Sequence, residues 1–133
     1  MTTNVRGSVG RDYNRQLVHY LRYKIAGSAG AKTYTLGYAL PKGADVLQAY
    51  TVVRVVFDGT PTLAIGTSGG TTTDIAAAAT NGLATLGRNA VALAATAASA
   101  TMSADKVPTL TIGGAPTVGD ADVIIEYVPQ NDA

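Results

Sequence analysis

The chain has no cysteine and no tryptophan, and among its 133 residues there are one phenylalanine, one histidine and two methionines. Without cysteine there is no disulfide framework, no thiolate nucleophile and no thiolate zinc site, and the redox compartment stays open. Charge is scarce too, at 14% of residues, and almost balanced at a formal +1. No apolar run approaches the length needed to cross a bilayer, and Met1 to Gly10 is polar with no signal-peptide core. The expectation is a chain made in the cytoplasm, with no membrane partner. Apolar residues make up 47% of the sequence, but much of that share is alanine. A single domain of this length therefore has a thin core of Val, Ile, Leu and Ala, which suits a β-sandwich that gains further burial by association.

What is present reads as strands. Met1 to Arg15 (MTTNVRGSVGRDYNR) shows no sustained periodicity and is expected to be an extended arm, ordered only where it docks on something. Residues 16–129 form the domain, and 130–133 a polar tail. Gln16 to Ile25 alternates Leu17, His19, Leu21, Tyr23 and Ile25 against Gln16, Val18, Tyr20, Arg22 and Lys24. This is a half-buried strand pattern, although a 3.6-residue period also fits. Lys32 to Leu40 predicts a second strand with a bulge at Gly37.

The most distinctive stretch is Asp45 to Gly70, DVLQAYTVVRVVFDGTPTLAIGTSGG. Its long β-branched run, Asp58-Gly59-Thr60-Pro61 break and short return strand at Thr62 to Gly66 predict the central hairpin of the domain. In the long run, Leu47, Ala49, Thr51, Val53, Val55 and Phe57 are expected on one face. From Ile75 to Ala104, where 13 of 30 residues are alanine, a short helical turn at Ile75 to Ala79 and weak strands at Leu83 to Leu86 and Val91 to Ala97 are expected. Val107 to Ile112 and Ala121 to Val128 predict a closing hairpin around Gly113-Gly114-Ala115-Pro116. About eight short strands with glycine turns and at most a short helix indicate an all-β fold, an antiparallel sandwich or jelly roll.

No catalytic constellation emerges, and the chain is expected not to be an enzyme and to carry no cofactor or metal. His19 lies mid-strand with no local partner pattern, so a packed or surface role is expected. Gly66 to Gly70 lacks the Gly-Lys-Ser/Thr of a phosphate loop and is read as a connecting loop. Asp120 and Asp122, with Asp58 and Asp74, lack the dense spacing of a calcium loop.

Charge and aromatics are placed unevenly. Up to Lys24 five basic residues (Arg6, Arg11, Arg15, Arg22, Lys24) stand against Asp12, while from Asp105 onward five acids (Asp105, Asp120, Asp122, Glu126, Asp132) stand against Lys106. Either a basic arm reaches an acidic patch on a neighbour, or head and tail pair within one domain. Six of the seven tyrosines fall in the first fifty residues. Aromatic plus basic character fits single-stranded nucleic acid or sugar binding, but the near-zero charge favours a protein interface and no nucleic acid. The partner-binding candidates are Arg6, Arg11, Tyr13, Arg15, Tyr20 and Arg22.

The order LPKGADVL, VVRVVFDGTPTLAIGTSGGTTTD and GDADVIIEYV, covering about Leu40 to Asp74 and Gly119 to Val128, resembles small structural proteins of tailed bacteriophages. The resemblance implies a capsid decoration (cement) protein on the outer head surface of the virion. Its partners would be the major capsid protein and itself, commonly as a trimer, with a dimer the other option. A carbohydrate- or receptor-binding module of a head or tail fibre is the alternative.

Overall fold

The computed structural model describes residues 18–99 and 102–129. Eight strands build the domain: β1 (His19–Ala26), β2 (Lys32–Thr35), β3 (Asp45–Val55), β4 (Thr62–Thr67), β5 (Ala76–Ala79), β6 (Gly87–Val91), β7 (Pro108–Gly113) and β8 (Asp120–Val128). Among the described residues a short α-helix, α1 (Ala95–Ser99), follows β6, and a single 3-10 turn (Gly27–Ala29) follows β1. Two four-stranded sheets have the orders β1-β8-β3-β6 and β2-β7-β4-β5, and every pairing is antiparallel. This is the jelly-roll order, an antiparallel sandwich as the composition and strand spacing predicted.

The pairing departs from the expected hairpins. β3 and β4 lie in different sheets, as do β7 and β8, and β4 with β5 is the one pair of consecutive strands that bond to each other. The Asp-Gly-Thr-Pro segment and the Gly113 to Gly119 segment are therefore crossings between sheets. They lie against each other: the Asp58 carboxylate accepts from the Thr117 backbone N–H (2.6 Å), the Thr117 hydroxyl (2.6 Å) and the Val118 N–H (3.0 Å). The crossing from β1 to β2 joins them where the Gly27 N–H donates to the Gly119 carbonyl at 2.9 Å.

Side chains from both sheets meet in one core. Leu21, Ile25, Val53, Val123 and Ile125 come from one, Leu63, Ile65, Leu110 and Ile112 from the other, and Phe57, Ile75 and Leu83 close the ends. Two register shifts in β3, between Val46 and Gln48 and between Val53 and Val55, reset its alternation. Val46 is buried, while Leu47 and Val55, expected on one face with Ala49, Thr51, Val53 and Phe57, are about half exposed at 47% and 49% and the other four are buried. A bulge moves every following side chain to the other face unless a second one restores it.

The alanine-rich segment differs most. Ile75 to Ala79, expected to turn helically, supplies strand β5; Leu83 to Leu86 is a turn; and Val91 to Ala97 ends β6 and enters α1. Polyalanine has helix propensity, but here the backbone of Ala76 and Ala79 pairs with Ile65 and Leu63 on an open sheet edge, and tertiary pairing overrides propensity. The predicted strand Lys32 to Leu40 stops at Thr35, and Leu40 makes an isolated bridge to Lys106. No described helix is long and apolar enough to cross a membrane.

Candidate functional site

The two outer faces of the sandwich have different chemistry. On the β2-β7-β4-β5 sheet the outward side chains are small: Thr33 faces Thr111, with their hydroxyls 3.2 Å apart, and Thr35 faces Thr109. Outward Ala64 and Gly66 lie beside Thr111 and Thr109. The β1-β8-β3-β6 sheet carries Tyr20, Arg22, Lys24, Tyr50, Arg54, Arg88, Asp120, Asp122 and Glu126 instead. Alternation explains this placement. Ala121, Val123 and Ile125 fill the core from β8, so Asp120, Asp122, Ile124 and Glu126 point away from it.

Asp122 is the hub. It stands opposite Lys24 on β1 and Val52 on β3, and it accepts hydrogen bonds from the Arg22 Nε at 2.8 Å and from both terminal nitrogens of Arg54 at 3.1 and 3.0 Å. The second Arg22 nitrogen bonds the same oxygen. Arg54 also donates to Asp120 through Nε at 3.1 Å and a terminal nitrogen at 3.0 Å, and Lys24 lies 3.9 Å from Asp120. The Arg54 guanidinium, with Arg22 behind it, holds the Asp122 carboxyl down at about 2 despite the opposing effect of burial. Arg54 likewise lowers Asp120, and its own proton is held more tightly in return. Carboxylates bound by forked donors in this way are committed to holding strands together.

Beyond Ile124 a second cluster forms. Glu126 accepts from the Gln48 amide and, at 3.0 Å, from the Tyr50 hydroxyl, while the Arg88 guanidinium lies 4.1 Å over the Tyr50 ring. The Gln48 and Tyr50 bonds lower Glu126, and partial burial followed by the Glu126 bond raises Tyr50. A broad groove of about 620 Å³ opens beside Tyr50 toward Leu47 and Leu93.

Of the residues nominated from the sequence, Arg6, Arg11, Tyr13 and Arg15 lie outside the described residues. Tyr20 and Arg22 are brought together on β1, Tyr20 63% exposed and Arg22 tied to Asp122. The charged head and tail of the domain thus pair internally, Arg22 with Asp122 and Lys24 with Asp120. Arg54, Arg88 and Glu126 were not nominated; the only sequence signal was Arg54 as the single charge in VVRVVF. His19 packs its ring 5.7 Å from Tyr127 on the surface. The Gly66 to Gly70 loop is closed by Asp74, which accepts from the Thr67 and Thr71 hydroxyls and the Thr71 N–H and is acidified by the two hydroxyls. Asp58 and Asp74 are thus committed apart from the Asp120–Asp122 pair. Among the described residues no group of three His, Cys, Asp or Glu side chains is placed to hold a metal ion.

With the fold and this surface defined, the chain can be set beside known proteins. No family model matches it, and no curated protein matches. Solved structures do. A chain in the acidic stable capsid structure of Helicobacter pylori bacteriophage KHP30 matches with a TM-score of 0.63 and 17% identity over 85% of this chain and 88% of that one. A chain of the cyanophage Pam1 capsid asymmetric unit matches with a TM-score of 0.59 and 17% identity over 86% of each. The chain shares its fold with chains of phage capsid structures.

Proposed function

We propose that this chain is a structural virion protein of a bacteriophage, a capsid decoration or cement protein. It binds the outer surface of the head as a symmetric oligomer, most simply a trimer, and bridges neighbouring major capsid subunits. The observation that supports this reading is the fold likeness, over 85% and 86% of this chain, to chains in two phage capsid structures. The surface fits the task. Asp58, Asp74, Asp120, Asp122 and Glu126 are taken up by hydrogen bonds within the scaffold, and the exposed large side chains include Tyr20, Tyr38, Leu47 and Leu86, aromatic and apolar material for protein contacts. The mechanism needs no chemistry: each bound copy adds interface across a joint between capsid subunits and favours the assembled shell by mass action. On this reading the protein is not an enzyme.

The test is sedimentation of the purified protein with heads that lack it. Saturable co-sedimentation, with a higher rupture temperature of the decorated heads, is the expected result; free protein in the supernatant at all ratios overturns the proposal. A fibre-associated carbohydrate-binding module is the second reading, favoured by the Tyr50–Arg88 shelf and its groove. Glycan-array binding that is lost in Tyr50→Ala, together with failure to bind heads, would put that reading first.

A further inference from the structure

The four edges of the sandwich are not alike. β2, β5 and β6 end their sheets with four, four and five residues, whereas β1 ends its sheet with eight, all paired to β8 without a register shift. Short edge strands, bulges, prolines and edge lysines are the usual means of preventing strand addition; of these β1 has only the charge of Lys24, beside Arg22, which deters another basic strand. Among the described residues its other side is unpaired. Three of the large apolar side chains left exposed gather here: Val18, Tyr20 and, from the segment after β2, Tyr38 at 75% exposure. Between Tyr20 and Tyr38 a recess of about 230 Å³ is lined by Leu21, Tyr23 and Leu36.

Charge selects the occupant. β1 itself carries Arg22 and Lys24 and no acid; Asp120 and Asp122 lie one strand in, on β8, where Arg54 of β3 also holds them, and Lys24 makes only the 3.9 Å approach to Asp120. A second copy pairing β1 against β1 would bring Arg22 and Lys24 close to their own kind, which is unfavourable across strands. The chain's own residues 1–17 carry Arg6, Arg11 and Arg15 against Asp12 and have the same sign as the edge.

We propose that the outer edge of β1 is a strand-addition site for an extended acidic segment of a partner protein. That segment completes the backbone ladder, sets an apolar side chain into the Leu21–Tyr23–Leu36 recess and turns a carboxylate toward Lys24 and Arg22. Main-chain bonds supply the affinity and the recess and cations the selectivity. The site stands on edge geometry and charge, whatever the virion role of the chain.

The test uses the full-length, isotope-labelled protein and two capped peptides as long as β1, one alternating valine with glutamate and the other valine with lysine, followed by NMR. Expected are shifts confined to His19–Ala26 and the Leu36 to Tyr38 segment, with the glutamate peptide bound about threefold or more tightly, in line with one exposed ion pair. Lys24→Glu should reverse the preference, and Tyr38→Ser should weaken both peptides alike. Equal affinity for the two peptides, shifts at β2, β5 or β6, or no shifts at millimolar peptide overturns the proposal. So does either alternative occupant. Shifts of the β1 amides on raising the concentration of peptide-free protein would indicate a second copy, and slow exchange of all β1 amides in dilute peptide-free protein would indicate the chain's own first residues.

Discussion

Asp122 has only 5% of its side chain exposed, yet both of its arginine partners remain well hydrated, Arg54 at 41% and Arg22 at 58%. The arginines have water to fall back on and the carboxylate does not, so the larger penalty falls on removing the acceptor's charge. Asp122→Asn is expected to lower stability by about 1–3 kcal/mol in chemical denaturation, and Arg22→Gln by less, since Arg54 still covers the carboxylate. An unchanged midpoint for Asp122→Asn would mean that desolvation cancels the pairing. Acid should act on the same groups. Asp58 and Asp122 both titrate at about 2 in the fold against 3.8 unperturbed, and Asp74, Asp120 and Glu126 are lowered as well. A depressed folded pKa means stability that is fully present above the unfolded value and is lost as pH falls toward the folded one. Thermal unfolding should therefore hold steady from neutrality to about pH 4 and fall between there and about pH 2. A midpoint that is flat across that window would contradict the assigned bonds.

At the scale of elements, the close approaches of backbone are where single changes matter most. A Cβ on Gly66 would lie 2.1 Å from the Thr71 carbonyl oxygen, because the loop closed by Asp74 folds back over β4. Gly66→Ala is expected to destabilise by about 1–3 kcal/mol as the loop is pushed off the strand. Gly37→Ala meets nothing within 4 Å and needs no positive φ. It should be neutral or stabilising by about 0.4–1 kcal/mol through the unfolded chain. Parallel melting curves of the two variants check the pair, and equal effects would refute the reading of the loop. Elements were legible where alternation was strong: β1, β3, β7 and β8 all appear close to their expected positions. Their partners were not, because Asp-Gly and Gly-Gly segments suit a hairpin and an inter-sheet crossing equally well. What decides between them is the Asp58 carboxylate reaching Thr117, a contact nearly sixty positions away that no local window contains.

For the whole molecule, the core is thin: among the described residues Phe57 is the single fully buried aromatic, with Tyr23, Tyr34 and Tyr127 packed at its margin, and the remainder of the core is Leu, Ile, Val and Ala. Such a domain has little apolar surface to spare and gains by lying against neighbours. If the decoration role holds, deleting Met1 to Arg15 should weaken attachment to heads while leaving the unfolding midpoint of the domain unchanged. Sedimentation with heads and a melting curve on the same variant measure the two halves. Equal binding of truncated and full-length protein would remove the arm from the mechanism.

Composition and alternation by themselves determined the class of this protein: all β, with a small-residue core and no thiol chemistry. They did so because side-chain period and residue volume are local properties. Only the tertiary structure decided the jelly-roll order, the phase of β3 past its bulges, the strand nature of Ala76–Ala79 and the pairing of Arg22 and Arg54 with Asp122. Each of these depends on which distant backbone lies alongside. The same holds for the open edge of β1, since a strand becomes an edge only when every other strand has found its place.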